Sequence, residues 1–229
     1  VIVAIDGPAG SGKSTTARLV AERLGYVYLD TGAMYRAIGL AMIRRDRLDD
    51  QAAGVDLLDS IRLDIRPDDK AFRVFLNDED VTSLLRSADV GSAASRVAQW
   101  PAVREKLVAE QRRIARGAVE EGSGVVLDGR DIGTVVFPDA DVKFFVQADA
   151  EVRARRRFDE LTSAGHKVSF HEVLAEIKQR DKQDAHRAVA PLRVAGDAVL
   201  IDTTHVGIEE QVALVIEEIR ERGHKAMVN

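Results

Sequence analysis

The sequence predicts an α/β fold: a five-stranded parallel sheet with helices on both faces and a small antiparallel insert. Three observations predict it. Apolar β-type runs recur at Val1–Ile5, Tyr26–Leu29, Val125–Leu127, Val142–Val146 and Ala198–Ile201. Helical patterns fill the stretches between them, at Lys13–Leu24, Ala33–Arg45, Ala88–Gln99, Val103–Arg116, Ala150–Ser163, Phe170–Asp184 and Ile208–Arg222. Strands alternating with helices are the crossover units of a parallel sheet, and strands apolar throughout are buried on both sides. The third observation is residues 61–82, where the alternation changes character and a half-exposed antiparallel insert is expected.

Each element has a local reason. Val1–Ile5 is β-branched and leads directly into Asp6-Gly7-Pro8-Ala9-Gly10-Ser11-Gly12-Lys13-Ser14-Thr15. Gly7, Gly12, Lys13 and Ser14 occupy every fixed position of G-x-x-x-x-G-K-[ST], and an amphipathic stretch follows to Leu24. Strand, glycine loop and helix are the context this phosphate-binding loop requires, and they make the fold the P-loop three-layer type. Glycines let successive N–H groups approach an anion at the positive end of a helix dipole. Lys13 adds a mobile charge for the β- and γ-phosphates, and the Ser14 hydroxyl is the usual Mg²⁺ ligand. Gly7 through Thr15 are therefore the candidate nucleoside triphosphate site.

Within the insert, Arg62-Leu63-Asp64-Ile65-Arg66 and Phe72-Arg73-Val74-Phe75-Leu76 alternate in polarity. Pro67-Asp68-Asp69 and Asn77-Asp78-Glu79-Asp80 read as turns. Pro101 opens a helix, where its missing N–H costs nothing. Thr162–Val168 has the composition of a mobile tip between two helices.

Composition excludes several classes. Among 229 residues there is no Cys, which rules out disulfides, thiolate zinc sites and cysteine nucleophiles and suits a cytoplasmic protein. No apolar run reaches membrane-span length, and no signal peptide is expected, because Val1 already belongs to a core-type strand. The absence of Met at position 1 is read as a few residues missing ahead of Val1. A net charge of −5 argues against nonspecific nucleic-acid binding. Residues 44–90 hold eight Lys/Arg against twelve Asp/Glu, whereas residues 151–193 hold ten against seven. A basic segment in an acidic protein suggests a part that folds over phosphates, although i,i+4 pairing on a solvated face explains many of the individual charges.

Two further clusters follow strands: Asp30-Thr31-Gly32-Ala33-Met34-Tyr35-Arg36 and Asp128-Gly129-Arg130-Asp131-Ile132-Gly133. Ligands of open α/β sheets bind at the carboxyl ends of strands. Asp128 is thus a candidate for organising Mg²⁺, and Arg36 and Arg130 for gripping a second phosphate through the guanidinium fork. Arg180 to Arg187 packs many charges into one stretch, in which Lys182 and His186 read as solvated.

These strings make the chain resemble the bacterial cytidylate kinase family over nearly its whole length. The match is carried by the phosphate loop, Leu29–Arg36, Ala93–Ala98, Val103-Arg104, Asp128–Pro138 (DGRDIGTVVFP), Glu176–Asp181 and Arg187–Leu192 (RAVAPL). The resemblance implies Mg²⁺-dependent phosphoryl transfer from ATP to CMP or dCMP by a single domain. That domain would have a core of 1–60 and 91–229, an insert at about 61–90 and a short helical lid at about 151–170. It implies cytosine contacts from Ser95, Arg104 and Asp131, and monophosphate contacts from Arg36, Arg130 and Arg187. Thr31 and Gly129 would join the CMP set, Arg180 and Asp184 would meet the sugar, and Arg153 and Arg157 would serve from the lid. Catalytic roles fall to Lys13, Arg130, Arg153 and Arg157, and metal binding to Ser14 and Asp128. Thr31 departs from the family's usual serine but keeps the hydroxyl. The partners expected are small molecules only, with neither nucleic acid nor membrane, and the protein is expected to be a cytoplasmic monomer. Two rivals are a P-loop kinase for a metabolite such as shikimate or gluconate, and a nucleotide switch. The switch would need a guanine-reading Asn-Lys-x-Asp, which the sequence lacks.

Overall fold

The computed structural model describes residues 1–68 and 71–228. In chain order the elements are β1 (Ile2–Asp6), α1 (Lys13–Leu24), β2 (Val27–Asp30), α2 (Thr31–Arg44), α3 (Gln51–Asp56), β3 (Leu63–Asp68), β4 (Ala71–Leu76) and β5 (Glu79–Asp80). They continue with α4 (Ala88–Val97), α5 (Pro101–Glu120), β6 (Val125–Gly129), β7 (Val142–Gln147), α6 (Ala150–Ser163), α7 (Phe170–His186), β8 (Val199–Asp202) and α8 (Ile208–Val228). The chain divides into two compact units, residues 1–27 with 122–229, and residues 28–121.

The expected parallel sheet has the order β2-β6-β1-β7-β8, and β6, β1, β7 and β8 belong to the first unit. β1 lies in the middle, parallel to β6 and β7, with Asp6 opposite Gly129 on one side and Phe145 on the other. Val3, Ala4, Ile5, Val125, Val126 and Leu127 are wholly buried, as strands covered on both faces must be. α1 packs its Ala17, Val20 and Ala21 inward and is covered by α8. α6 and α7 form a hairpin with its own core of Ala154, Val173 and Ile177, against which Phe158, Leu161 and Phe170 pack. A Ser169–Glu172 capping box starts α7.

The second unit pairs α2 with α4 and carries the three-stranded antiparallel sheet β3-β4-β5. Asp30 caps α2 by accepting from the Ala33 N–H at 2.8 Å, so the helix begins at Thr31, two residues ahead of the periodic pattern. α5 begins at Pro101 as expected and runs on to Glu120.

Three details differ from the sequence expectation. Pro67 and Asp68 end β3 rather than forming a turn, and Asp69 lies outside the described residues. Asn77 and Asp78 do turn, with φ of 48° and 70°, but Glu79 and Asp80 pair back onto β4 as β5. The Arg62 N–H donates to the Asn77 side chain at 2.8 Å and holds that turn. Beyond β6, a π-helical turn covers Ile132–Val136, a stretch to which the sequence pattern assigns no element.

Candidate active site

The phosphate loop joins β1 to α1 at the carboxyl edge of the parallel sheet. At Gly7 a Cβ would lie 2.0 Å from the Val146 carbonyl oxygen, so the loop starts pressed against β7 and only glycine fits. Gly12, at φ 89°, turns the chain into α1, whose first turn has no side-chain cap and no acidic residue. The positive end of the helix thus faces the loop undiluted. Lys13 is buried, and its ammonium donates to the Pro8 carbonyl at 3.2 Å, folded over the loop it follows.

Ser14 Oγ donates to Asp128 Oδ2 at 2.5 Å, and Asp128 is 2% exposed at the end of β6. A hydroxyl and a carboxylate so paired are hard oxygen donors that suit Mg²⁺. Among the described residues no group of three His, Cys, Asp or Glu gathers as a metal cage.

The segment after β6 is latched to the end of α7 by two ion pairs. Arg130 Nε donates to Asp184 at 2.8 Å, and Arg130 Nη1 donates to the Gly129 carbonyl at 3.2 Å. Arg187 Nη2 donates to Asp131 at 3.3 Å, with side chains only 7% and 6% exposed. Arg187 Nε also donates to the carbonyl of Ala190, itself at φ 48°. Burial would raise the Asp184 carboxyl, but Arg130, with Arg180 and Arg187, holds it below the ordinary carboxylate range. Arg180 is half-buried on α7, whereas Lys182 and His186 are exposed, as expected.

The two arginines expected to serve a lid, Arg153 and Arg157, sit differently. Arg157 is on the surface of α6 beside Glu160, at 3.1 Å. Arg153 is buried and makes four hydrogen bonds: two to Asp181 at 2.9 and 2.7 Å, one to the Ala148 carbonyl at 2.8 Å and one to the Ala9 carbonyl at 3.1 Å. It therefore ties both helices of the hairpin to the phosphate loop.

In the second unit, Arg36 folds back along α2 to donate to Asp30 at 2.7 Å. Thr31 is buried at the start of the same helix. Ser95 on α4 donates to the Gly91 carbonyl at 3.4 Å. Arg104 on α5 is 4% exposed, and its Nη1 donates to the Tyr35 hydroxyl at 3.3 Å.

Several residues around the loop escape sequence reasoning. Thr203 Oγ1 donates to the Ser11 carbonyl at 3.0 Å and accepts from Arg156 at 3.1 Å. Thr16 donates to Gln211 at 3.0 Å. Asp181 neutralises Arg153. Asp6 accepts from the backbone N–H of Ile132 at 2.8 Å and of Gly133 at 2.7 Å. For Asp6 one signal existed, a charged residue ending an otherwise apolar buried strand.

Fold and site together define the class, a P-loop kinase of the α/β type: the phosphate loop, the Ser14–Asp128 pair and the arginine-rich end of α7 all belong to one unit. Comparison with known proteins narrows it. The Cytidylate kinase family model matches residues 3–221. The chain is 51% identical over 220 residues to a cytidylate kinase of Salinibacter ruber, covering 96% of this chain and 97% of that protein. It is 46% identical over 221 residues to the cytidylate kinase of a Geobacillus species, strain WCH70, covering 96% of each. The solved structure of an uncharacterized protein from Eubacterium ventriosum ATCC 27560 shares the fold, with a TM-score of 0.52 at 16% identity, over 96% of this chain and 98% of that one. The chain belongs to the cytidylate kinase family, a family of phosphotransferases.

Proposed function

We propose that the protein transfers the γ-phosphoryl group of ATP to the phosphate of CMP or dCMP, giving ADP and CDP or dCDP, with Mg²⁺. The observation that carries this reading is the pair of latches, Arg130–Asp184 and Arg187–Asp131, in the same unit as the phosphate loop. A kinase for a sugar or organic acid has no need of a buried carboxylate held by arginine beside a second phosphate-gripping arginine. Cytosine presents an amine that Asp131 can accept from, and acceptors that Ser95 and Arg104 can donate to.

In this reading the loop amides and Lys13 hold the β- and γ-phosphates of ATP. Arg36, Arg130 and Arg187 hold the CMP phosphate, with Thr31 and Gly129 beside it, and Arg180 and Asp184 meet the sugar. A CMP phosphate oxygen attacks the γ-phosphorus. The bond from that phosphorus to the β–γ bridging oxygen breaks, and its electron pair leaves with ADP. No protein nucleophile takes part, so the residues act by positioning and by spreading positive charge over the equatorial oxygens. Ser14 and Asp128 would hold Mg²⁺, which when bound supplies charge neutralisation to the phosphates. Residues about 151–170 act as the lid and about 61–90 as the insert of one kinase domain, with Arg153 and Arg157 serving the lid. The protein works as a cytoplasmic monomer, in keeping with its lack of cysteine; size-exclusion chromatography at micromolar concentration checks the monomer.

The deciding experiment is coupled ADP release with ATP and Mg²⁺ across all nucleoside monophosphates, with shikimate and gluconate as controls. Turnover should be highest with CMP and dCMP. Turnover with a metabolite and none with CMP overturns the reading.

A further inference from the structure

The π-helical turn at Ile132–Val136 begins at Asp131, a residue type that ordinarily caps the helix it precedes with its own side chain. Here it makes no such cap. Val135 and Val136 donate to the Asp131 carbonyl at 2.9 and 3.1 Å, and Phe137 to the Ile132 carbonyl at 2.7 Å, so the turn itself offers the amides of Ile132 and Gly133 no acceptor. Both are taken by the two oxygens of Asp6, from the far end of the chain. We propose that Asp6 is a positioning residue for acceptor recognition: by capping this turn from β1, it leaves the Asp131 carboxylate turned toward Arg187 rather than back onto its own backbone. The inference rests on the reading above, in which Asp131 and Arg187 meet CMP.

Asp6 is well placed for this. It is 4% exposed and lies between β6 and β7 in the sheet. The next residue, Gly7, is pressed against Val146, so Asp6 cannot shift without moving the sheet. Asp6 therefore ties the end of β1 to the start of the acceptor segment, whereas the start of the phosphate loop is fixed by Gly7 against Val146. Burial pushes its carboxyl up to about 6, opposed by the bonds from Gly133 and Ile132, with Asp131 adding a further upward push and Arg130 a downward one. A charge kept in so costly a place suits a group with a specific backbone to hold.

The test uses Asp6→Ala, which removes both acceptors, and Asp6→Asn, which keeps one oxygen and the shape. Kinetics are measured well below the melting temperature of each variant, alongside amide hydrogen exchange at Ile132 and Gly133. In Asp6→Ala the KM for CMP should rise about tenfold, a lost hydrogen bond to a charged group. The ratio of kcat/KM for CMP over UMP should fall about as much, while the KM for ATP stays within about twofold. The two amides should exchange at least about a hundredfold more slowly in the wild type than in an open loop, and lose that protection in the variant. A lower melting temperature with an unchanged CMP KM and an unchanged ratio overturns the proposal. Should Asp6→Ala not fold, Asp6→Asn serves for both measurements, and open-loop exchange of the wild-type amides overturns the proposal without any variant. Failure of the wild type to use CMP instead refutes the functional reading, whereas the exchange measurement tests the cap with no substrate present.

Discussion

Asp131→Asn separates recognition from architecture. In the structure the Asp131 carboxylate lies 3.3 Å from Arg187 Nη2, both side chains almost wholly buried. At an effective dielectric of about 20, two unit charges at that distance attract by about 5 kcal/mol, and the cost of dehydrating both cancels much of this. The asparagine keeps the shape and one acceptor but removes the charge, leaving the Arg187 guanidinium with the Ala190 carbonyl. The expected loss of stability is about 3 kcal/mol, the low end for a broken buried pair, which lowers Tm by roughly 6–12 °C in a chain of this size. If Asp131 also accepts from the cytosine amine, CMP loses a charge-assisted bond of about 1.5–3 kcal/mol and UMP loses a repulsion. The ratio of kcat/KM for CMP over UMP then falls about tenfold or more. The assay is ADP release at saturating ATP, well below the variant's Tm, with calorimetry for stability. Arg187→Met is the control, breaking the same pair from the other side: it should weaken both acceptors together and leave the ratio alone. A lower Tm with an unchanged ratio in Asp131→Asn refutes base recognition and makes Asp131 an anchor for Arg187 alone.

Lys13→Ala should cost more than about a hundredfold in kcat, because in the proposed reaction Lys13 supplies charge over the phosphates, while Tm moves by only a few degrees; residual activity above about a tenth contradicts this. Arg153→Lys gives up the planar fork to Asp181 and the contacts with Ala9 and Ala148, and should lose about 2–3 kcal/mol, or roughly 4–12 °C in Tm. An unchanged melting curve would show that the Arg153–Asp181 tie contributes nothing. Asp6 gives a pH signature: its folded carboxyl stands at about 6 against 3.8 for the ordinary group, so folding takes up a proton between those values, and stability from this group grows as pH falls through 6 and is lost as pH rises. From pH 7 to pH 5 the wild type should gain about 1–1.5 kcal/mol on Asp6→Asn, near 3 °C in Tm; parallel Tm curves for the two proteins would rule this out.

Local pattern explains most of the fold. α1 and α6 fall where helical periodicity places them. β1, β6, β7 and β8 run one or two residues past their apolar runs because Asp6, Asp128-Gly129, Gln147 and Asp202 still have a neighbouring strand to bond. A polar side chain ends a hydrophobic run without ending the backbone ladder. The pairings in the site were beyond that pattern. Asp131 follows Arg130 in sequence yet pairs with Arg187, 56 positions away, and Arg130 takes Asp184. Local charge order cannot choose between these partners; the packing of α7 against the segment after β6 does. Arg153 is similar: in a helix of four arginines, only tertiary contact says which one is buried.

The hairpin of α6 and α7 carries its own apolar cluster, which also takes in Ala9 of the phosphate loop, and Arg153 bonds the carbonyl of that same alanine. The hairpin is thus a cassette with a defined plug. A segment exchanged from a relative would need to bring Arg153 and Asp181 together and to meet a small residue at position 9. Transplanted without its acid, the arginine would arrive as an unneutralised charge against the phosphate loop, and the chimera would lose the order of that loop before its fold.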